Sequence, residues 1–158
     1  MHKPLHIASF NAENFSLLTD RDYSRAELEA LDERDYLAMN PSIYNPNKDR
    51  DKIAEIARII LENDFDVVGL CEIGGRETLE NFTRAYLDSR YEFHIQEENS
   101  RRGIFVGALL KSGAFPSARS SNASADFSRN LLKLELGEEG GDLTVFVVHL
   151  KSQHGDDR

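Results

Sequence analysis

The sequence has no second cysteine. Cys71 stands alone, so no internal disulfide can form, and thiol content says nothing firm about compartment. It also lacks any apolar run near the ~20 residues needed to cross a membrane as a helix. Met1-His2-Lys3-Pro4 leads straight into Leu5-His6-Ile7, leaving no secretory hydrophobic segment, so a cytoplasmic location is the default expectation. Positive charge is scarce: 19 Lys and Arg face 28 Asp and Glu, for a net charge of −9. That balance argues against a passive nucleic-acid-binding module, which usually carries a basic face. It leaves open an enzyme that holds phosphate locally, through a metal ion and a few cationic side chains. Internal repeats, low-complexity tracts and Pro/Gly-rich linkers are absent too, so the 158 residues read as one domain.

What is present alternates between strand-like and helix-like patterns. Leu5 to Phe10 reads as a strand ended by Asn11, and a long polar stretch follows from Glu13 to about Arg50. Within it, Ser24 to Met39 could be helical, with Leu28, Leu31 and Tyr36 roughly on one face. Asn40-Pro41 and Asn45-Pro46-Asn47 break that pattern. Asp49 or Asp51 caps the next helix, where Ile53, Ile56, Ala57 and Ile60 form the stripe of an amphipathic helix reaching about Asn63. Asp66 to Cys71 is a short apolar run suited to a strand buried on both faces. A second helix holds Leu79, Phe82, Thr83 and Tyr86. Further strands are expected at Tyr91–Ile95, Ile104–Leu110, Leu131–Leu136 and Leu143–Val148, the last two joined by a turn at 138–142. This order predicts an α/β layer with helices on one face of a mixed sheet. Nothing obvious covers the other face.

Three polar residues stand just beyond apolar strands: Asn11, Glu72 and His149. Ligands of open α/β sheets gather outside the carboxyl ends of strands. An amide, a carboxylate and an imidazole there could hold a hard cation and a phosphate oxygen. Each residue alone also has a plainer reading: a solvated Glu cap, a structural His, an Asn favoured by turn geometry.

The flanking residues weigh against coincidence. Asn11-Ala12-Glu13-Asn14 resembles the opening "NxEN" motif of the endonuclease/exonuclease/phosphatase superfamily, and Asp66 to Ile73 resembles its second motif, "D-apolar-apolar-x-L-Q-E-V". Arg102 to Leu110 is similar to its "RGIDVALL" strand. Phe127 to Leu132 and Val148 to Ser152 are similar to its "SR-x-x-L" and "NHLKS" segments. Five segments in the family's order cover nearly the whole chain, apart from Ser16 to Arg50.

The resemblance implies a fold and a chemistry. The fold would be half of a four-layer α/β sandwich, a mixed and mainly antiparallel sheet with helices on one face, and residues 1–158 would be the N-terminal portion with the C-terminal half absent. Glu72 matches the metal-ligating glutamate, implying Mg²⁺ or Mn²⁺, and Asn11 matches the asparagine that supports that metal. Arg129 matches a phosphate-contacting arginine, and His149 a histidine that bonds a phosphate oxygen or assists the leaving group. The implied activity is phosphodiester hydrolysis of nuclease-like type, possible substrates being DNA or RNA. The alternatives are a non-catalytic binding module or a phosphatase- or sphingomyelinase-type member.

Cys71 departs from the pattern where the family has glutamine, Phe105 where an acid is common, and Val148 where asparagine often precedes the histidine. The family's "GD-x-N-D" and "SDH" motifs do not occur after Ser152. The chain alone is therefore expected to be inactive. A bare sheet face, with candidates Phe105, Val106, Leu109, Phe146 and Val148, is expected to promote self-association.

Overall fold

Two β-sheets and one layer of helices make up the computed structural model, which describes residues 4–98, 100, 103–123, 130–138 and 142–150. The elements run β1 (Ile7–Phe15), α1 (Arg25–Ala30), α2 (Glu33–Ala38), α3 (Arg50–Asn63), β2 (Val67–Ile73), α4 (Arg76–Tyr86), β3 (Tyr91–Ile95), β4 (Phe105–Lys111), β5 (Ser117–Asn122), β6 (Leu131–Gly137) and β7 (Leu143–Val148).

The first sheet has the order β1-β2-β4-β3. Its β1–β2 pair is parallel and the other two pairs are antiparallel. Parallel neighbours need a crossover, and the long segment through α1, α2 and α3 supplies it. In α3 the stripe Ile53, Ile56, Ala57 and Ile60 is buried, each large side chain contributing about 1.5–3 kcal/mol by leaving water. Asp49 caps its start, and Asp64, in the left-handed region at φ 49°, ends it. Gly75 starts α4 at φ 115°, a conformation a side chain would strain. Leu79, Phe82 and Tyr86 of α4 join Phe15, Leu17 and Leu70 in a core between helices and sheet.

The second sheet, β5-β6-β7, is antiparallel throughout. Alternation along β6 sends Leu132, Leu134 and Leu136 inward. They meet Val67, Cys71, Val106, Ala108 and Leu110 from the first sheet, with Val147 of β7, in a second core separate from the helix-side one. Strand β2 thus lies between helices on one side and a sheet on the other, which is why its residues read as a near-continuous apolar run.

Three expectations need correction. The strands do not form one sheet with a bare face, because β5, β6 and β7 fold back as a second sheet and cover it. Val106 and Leu109 are buried, and Phe105 packs against the helix-side core. Only Phe146 and Val148 of the five candidates are exposed, on the outer side of β7, so the basis for self-association through the first sheet disappears. Finally, the helix expected over 24–39 is two helices, since Asp32 accepts a bond from the Asp35 N–H and starts α2 afresh. No helix among the described residues is long and apolar enough to cross a membrane.

Candidate functional site

Strand β1 runs regularly beside β2 until Asn11, opposite Cys71, and regains register only at Phe15, opposite Ile73. Three residues of β1 therefore face Glu72 alone. On the other side of β2, Cys71 and Glu72 together face Val106, because Leu70 pairs with Gly107 and Ile73 with Phe105. Glu72 thus sits in irregular pairing with both neighbours. Such bulges bend a strand and re-aim a side chain.

The backbone carries strain at the same level. Glu72 has φ 63°, and Glu13 and Asn14 have φ 49° and 52°. Left-handed non-glycine residues cost of order 1–3 kcal/mol and collect at functional sites. Here the conformation has a visible product. The Asn14 N–H donates to Glu72 Oε2 at 3.1 Å, and Asn11 Nδ2 donates to Glu72 Oε1 at 3.3 Å. The Glu13 N–H donates to Asn11 Oδ1 at 2.9 Å, which fixes the amide so that its nitrogen faces the carboxylate. Gly74 follows, its N–H bonded to the Phe15 carbonyl at 2.8 Å, and a Cβ there would meet Ser16 Oγ at 2.3 Å. Glycine leaves room for this approach, since a Cβ would also lie 3.2 Å from Ser16 Cβ and 3.3 Å from the Phe15 carbonyl.

His149, just past β7, comes from the second sheet. Its Nε2 lies 3.6 Å from Glu72 Oε1, with both side chains roughly four-fifths buried. Packing of the two sheets therefore joins three of the sequence-predicted residues, Asn11, Glu72 and His149, at one end of the sandwich. Arg129 lies outside the described residues. Its neighbour Asn130 is described and buried, and it donates to the Gln96 carbonyl. The next residue, Leu131, pairs with Val148, beside His149.

Sequence reasoning missed Lys48. Its Nζ donates to the Glu13 carbonyl at 3.0 Å, and its backbone N–H donates to the Ser16 carbonyl at 2.9 Å. It fastens the 40–48 loop against the β1 bulge, and a pocket of about 450 Å³ opens between that loop, Glu72, Gly74, Gly103 and Ile104. The Asn45-Pro46-Asn47 cluster signalled only a break in helix, which hid its place in the wall.

Glu72 suits a hard cation in its donor type. Its oxygens accept bonds from an amide and a backbone N–H, and no Lys or Arg pairs with it among the described residues. No group of three or more His, Cys, Asp or Glu side chains that could hold a metal occurs among the described residues.

No family model and no curated protein sequence matches the chain. Solved structures do. The chain is similar to a D. rerio TDP2 humanized by 14 mutations, with 20% identity and a TM-score of 0.54, over 95% of this chain and 49% of that one. It is also similar to a truncated Caenorhabditis elegans TDP2, with 22% identity and a TM-score of 0.43, over 65% of this chain and 40% of that one. The first likeness is one of fold: this chain spans about half the length of that structure and adopts the α/β arrangement of half its sandwich.

Proposed function

We propose that this half-sandwich carries the metal- and phosphate-binding part of a nuclease-like phosphodiesterase. The observation that supports it is Glu72, a carboxylate held in a left-handed backbone at a double irregularity, beside Asn11 and Asn14 of β1 and His149 just past β7. Glu72 would hold Mg²⁺ or Mn²⁺, which when bound supplies positive charge to the non-bridging oxygens of a phosphodiester. Asn11 acts as a positioning residue. Its Nδ2–H and the Asn14 N–H fix the two carboxylate oxygens, so the charge does not reorient when substrate arrives. His149 stands where a protonated Nε2 could donate to a phosphate oxygen. Arg129 is proposed as a second phosphate contact, since its planar fork suits two oxygens at once. DNA or RNA strands are the proposed substrates.

Manganese-induced broadening of amide NMR signals tests the metal site. Signals of Asn11, Asn14 and Glu72 should broaden at low Mn²⁺ concentration, and Glu72→Gln should abolish the effect. Broadening centred elsewhere, or unchanged in the variant, would sink the assignment. Catalysis needs a group to orient and deprotonate water, and members of a catalytic set act as a unit. Lacking the "GD-x-N-D" and "SDH" segments, the 158-residue chain should hydrolyse bis-p-nitrophenyl phosphate only at a residual rate. Robust turnover lost in Glu72→Gln would show the site to be complete.

A further inference from the structure

The 40–48 loop spends its polar groups on itself. Asn40 Nδ2 donates to the Asn45 carbonyl and to Asn47 Oδ1, and Asn40 Oδ1 accepts the Ser42 N–H. Ser42 Oγ accepts both the Tyr44 and Asn45 N–H groups. Asn47 exchanges two bonds with the Leu18 backbone, and the Tyr36 hydroxyl donates to the Lys48 carbonyl at 2.6 Å. This network holds two large apolar side chains in water: Ile43 is 87% exposed and Tyr44 is 85% exposed. Tyr44 and Asn45 line the Glu72 pocket, and the Asn45 side-chain amide makes no hydrogen bond among the described residues.

From this juxtaposition we infer that Tyr44 and Asn45 form a nucleobase subsite beside Glu72, and that the substrate is an unpaired nucleotide strand. The Tyr44 ring supplies a stacking face, and the Asn45 amide supplies a donor and an acceptor for a base edge. A pocket of about 450 Å³ suits one such group. Paired bases cannot offer both a free face and a free edge, and a net charge of −9 disfavours a long duplex. An acyl chain would need a wall without Asn45, Asn47 and Lys48. The inference rests on the phosphodiesterase reading of Glu72 for the neighbouring phosphate, but not for the base.

The test measures fluorescence anisotropy of a labelled ten-residue thymidine strand, an abasic strand of equal length and the duplex, on the full chain with Mg²⁺. The thymidine strand should bind about tenfold tighter than the abasic one, since stacking is typically worth that or more per base. Tyr44→Ala should bring the ratio close to one, Tyr44→Phe should preserve it, and Asn45→Ala should lower it in part. At 85% exposure, Tyr44 can be replaced without unfolding the chain. Equal binding of the two strands, a ratio indifferent to Tyr44→Ala, no binding of the thymidine strand, or Tyr44-dependent binding to phosphatidylcholine vesicles in its place would each overturn the inference. A ratio that survives while Glu72→Gln changes neither strand would overturn the phosphate reading and leave this one standing.

Discussion

Glu72 combines two roles that oppose each other. Its carboxylate is fixed by Asn11 and Asn14, while its backbone sits at φ 63°, where a side chain is a liability. A comparison that leaves the carboxylate out isolates the backbone cost. Glu72→Ala and Glu72→Gly both delete the charge, but only glycine relieves the strain. Denaturant unfolding should find the glycine variant more stable than the alanine variant by ~1 kcal/mol, the low end of the usual cost of such a conformation. Equal stabilities would show that the left-handed backbone carries no cost here. Asn11 illustrates a different point at the same scale. Its position at the end of an apolar run was readable from sequence, but the direction of its amide was not. That depends on the Glu13 N–H, which turns toward it only because the bulge places Glu13 at φ 49°.

Among the elements, α1 is short, and its capping box holds it together. The Ser24 backbone N–H and hydroxyl, with Arg21 beside them, hold the Glu27 carboxyl down to about 2 from its ordinary 4.5. A depressed folded value means the stabilisation is complete above about 4.5 and is lost as pH falls toward about 2. The difference in Tm between the parent and Glu27→Ala should therefore be largest near neutral pH and close on acidification. A difference constant from pH 7 to pH 2 would exclude the carboxylate as its source. Most of the other elements were legible in the sequence because their periodicity is strong: Ile53 to Ile60 at helical spacing, Val67 to Cys71 as an unbroken apolar run. Strand β5, Ser117–Asn122, was not legible. Its sequence SARSSN has no apolar alternation, and it is a strand because β6 offers it a full ladder from Gly137 to Leu132. The split between α1 and α2 was hidden because Leu28, Leu31 and Tyr36 fit one helical face, whereas a local bond from the Asp35 N–H to Asp32 decides the break. The candidate site was half legible. Strand ends marked Asn11, Glu72 and His149, but Lys48, Tyr44 and Asn45 lie in a loop whose shape follows from side-chain bonds that no periodicity reports.

At the scale of the whole molecule, the first sheet is a partition between two cores, one shared with the helices and one with the second sheet. Separate cores can open separately, since proteins unfold locally in cooperative units. Cys71, the only thiol in the chain, belongs to the intersheet core, 9% exposed, with its Sγ 3.7 Å from the Val148 carbonyl. It is consequently a built-in clock for parting of the sheets. With the layers closed it is 9% exposed, so parting of the sheets should raise its labelling rate well above the closed-state rate. Leu134→Ala, which empties the intersheet core, should accelerate labelling by ten-fold or more, in keeping with the 2–5 kcal/mol such truncations cost. Ile53→Ala, which empties the helix-side core, should leave the rate nearly unchanged. Equal acceleration by the two would mean that the layers never part without the whole chain unfolding. Because His149 and Glu72 come from opposite layers, the same reading reports how long the two halves of the candidate site stay in register.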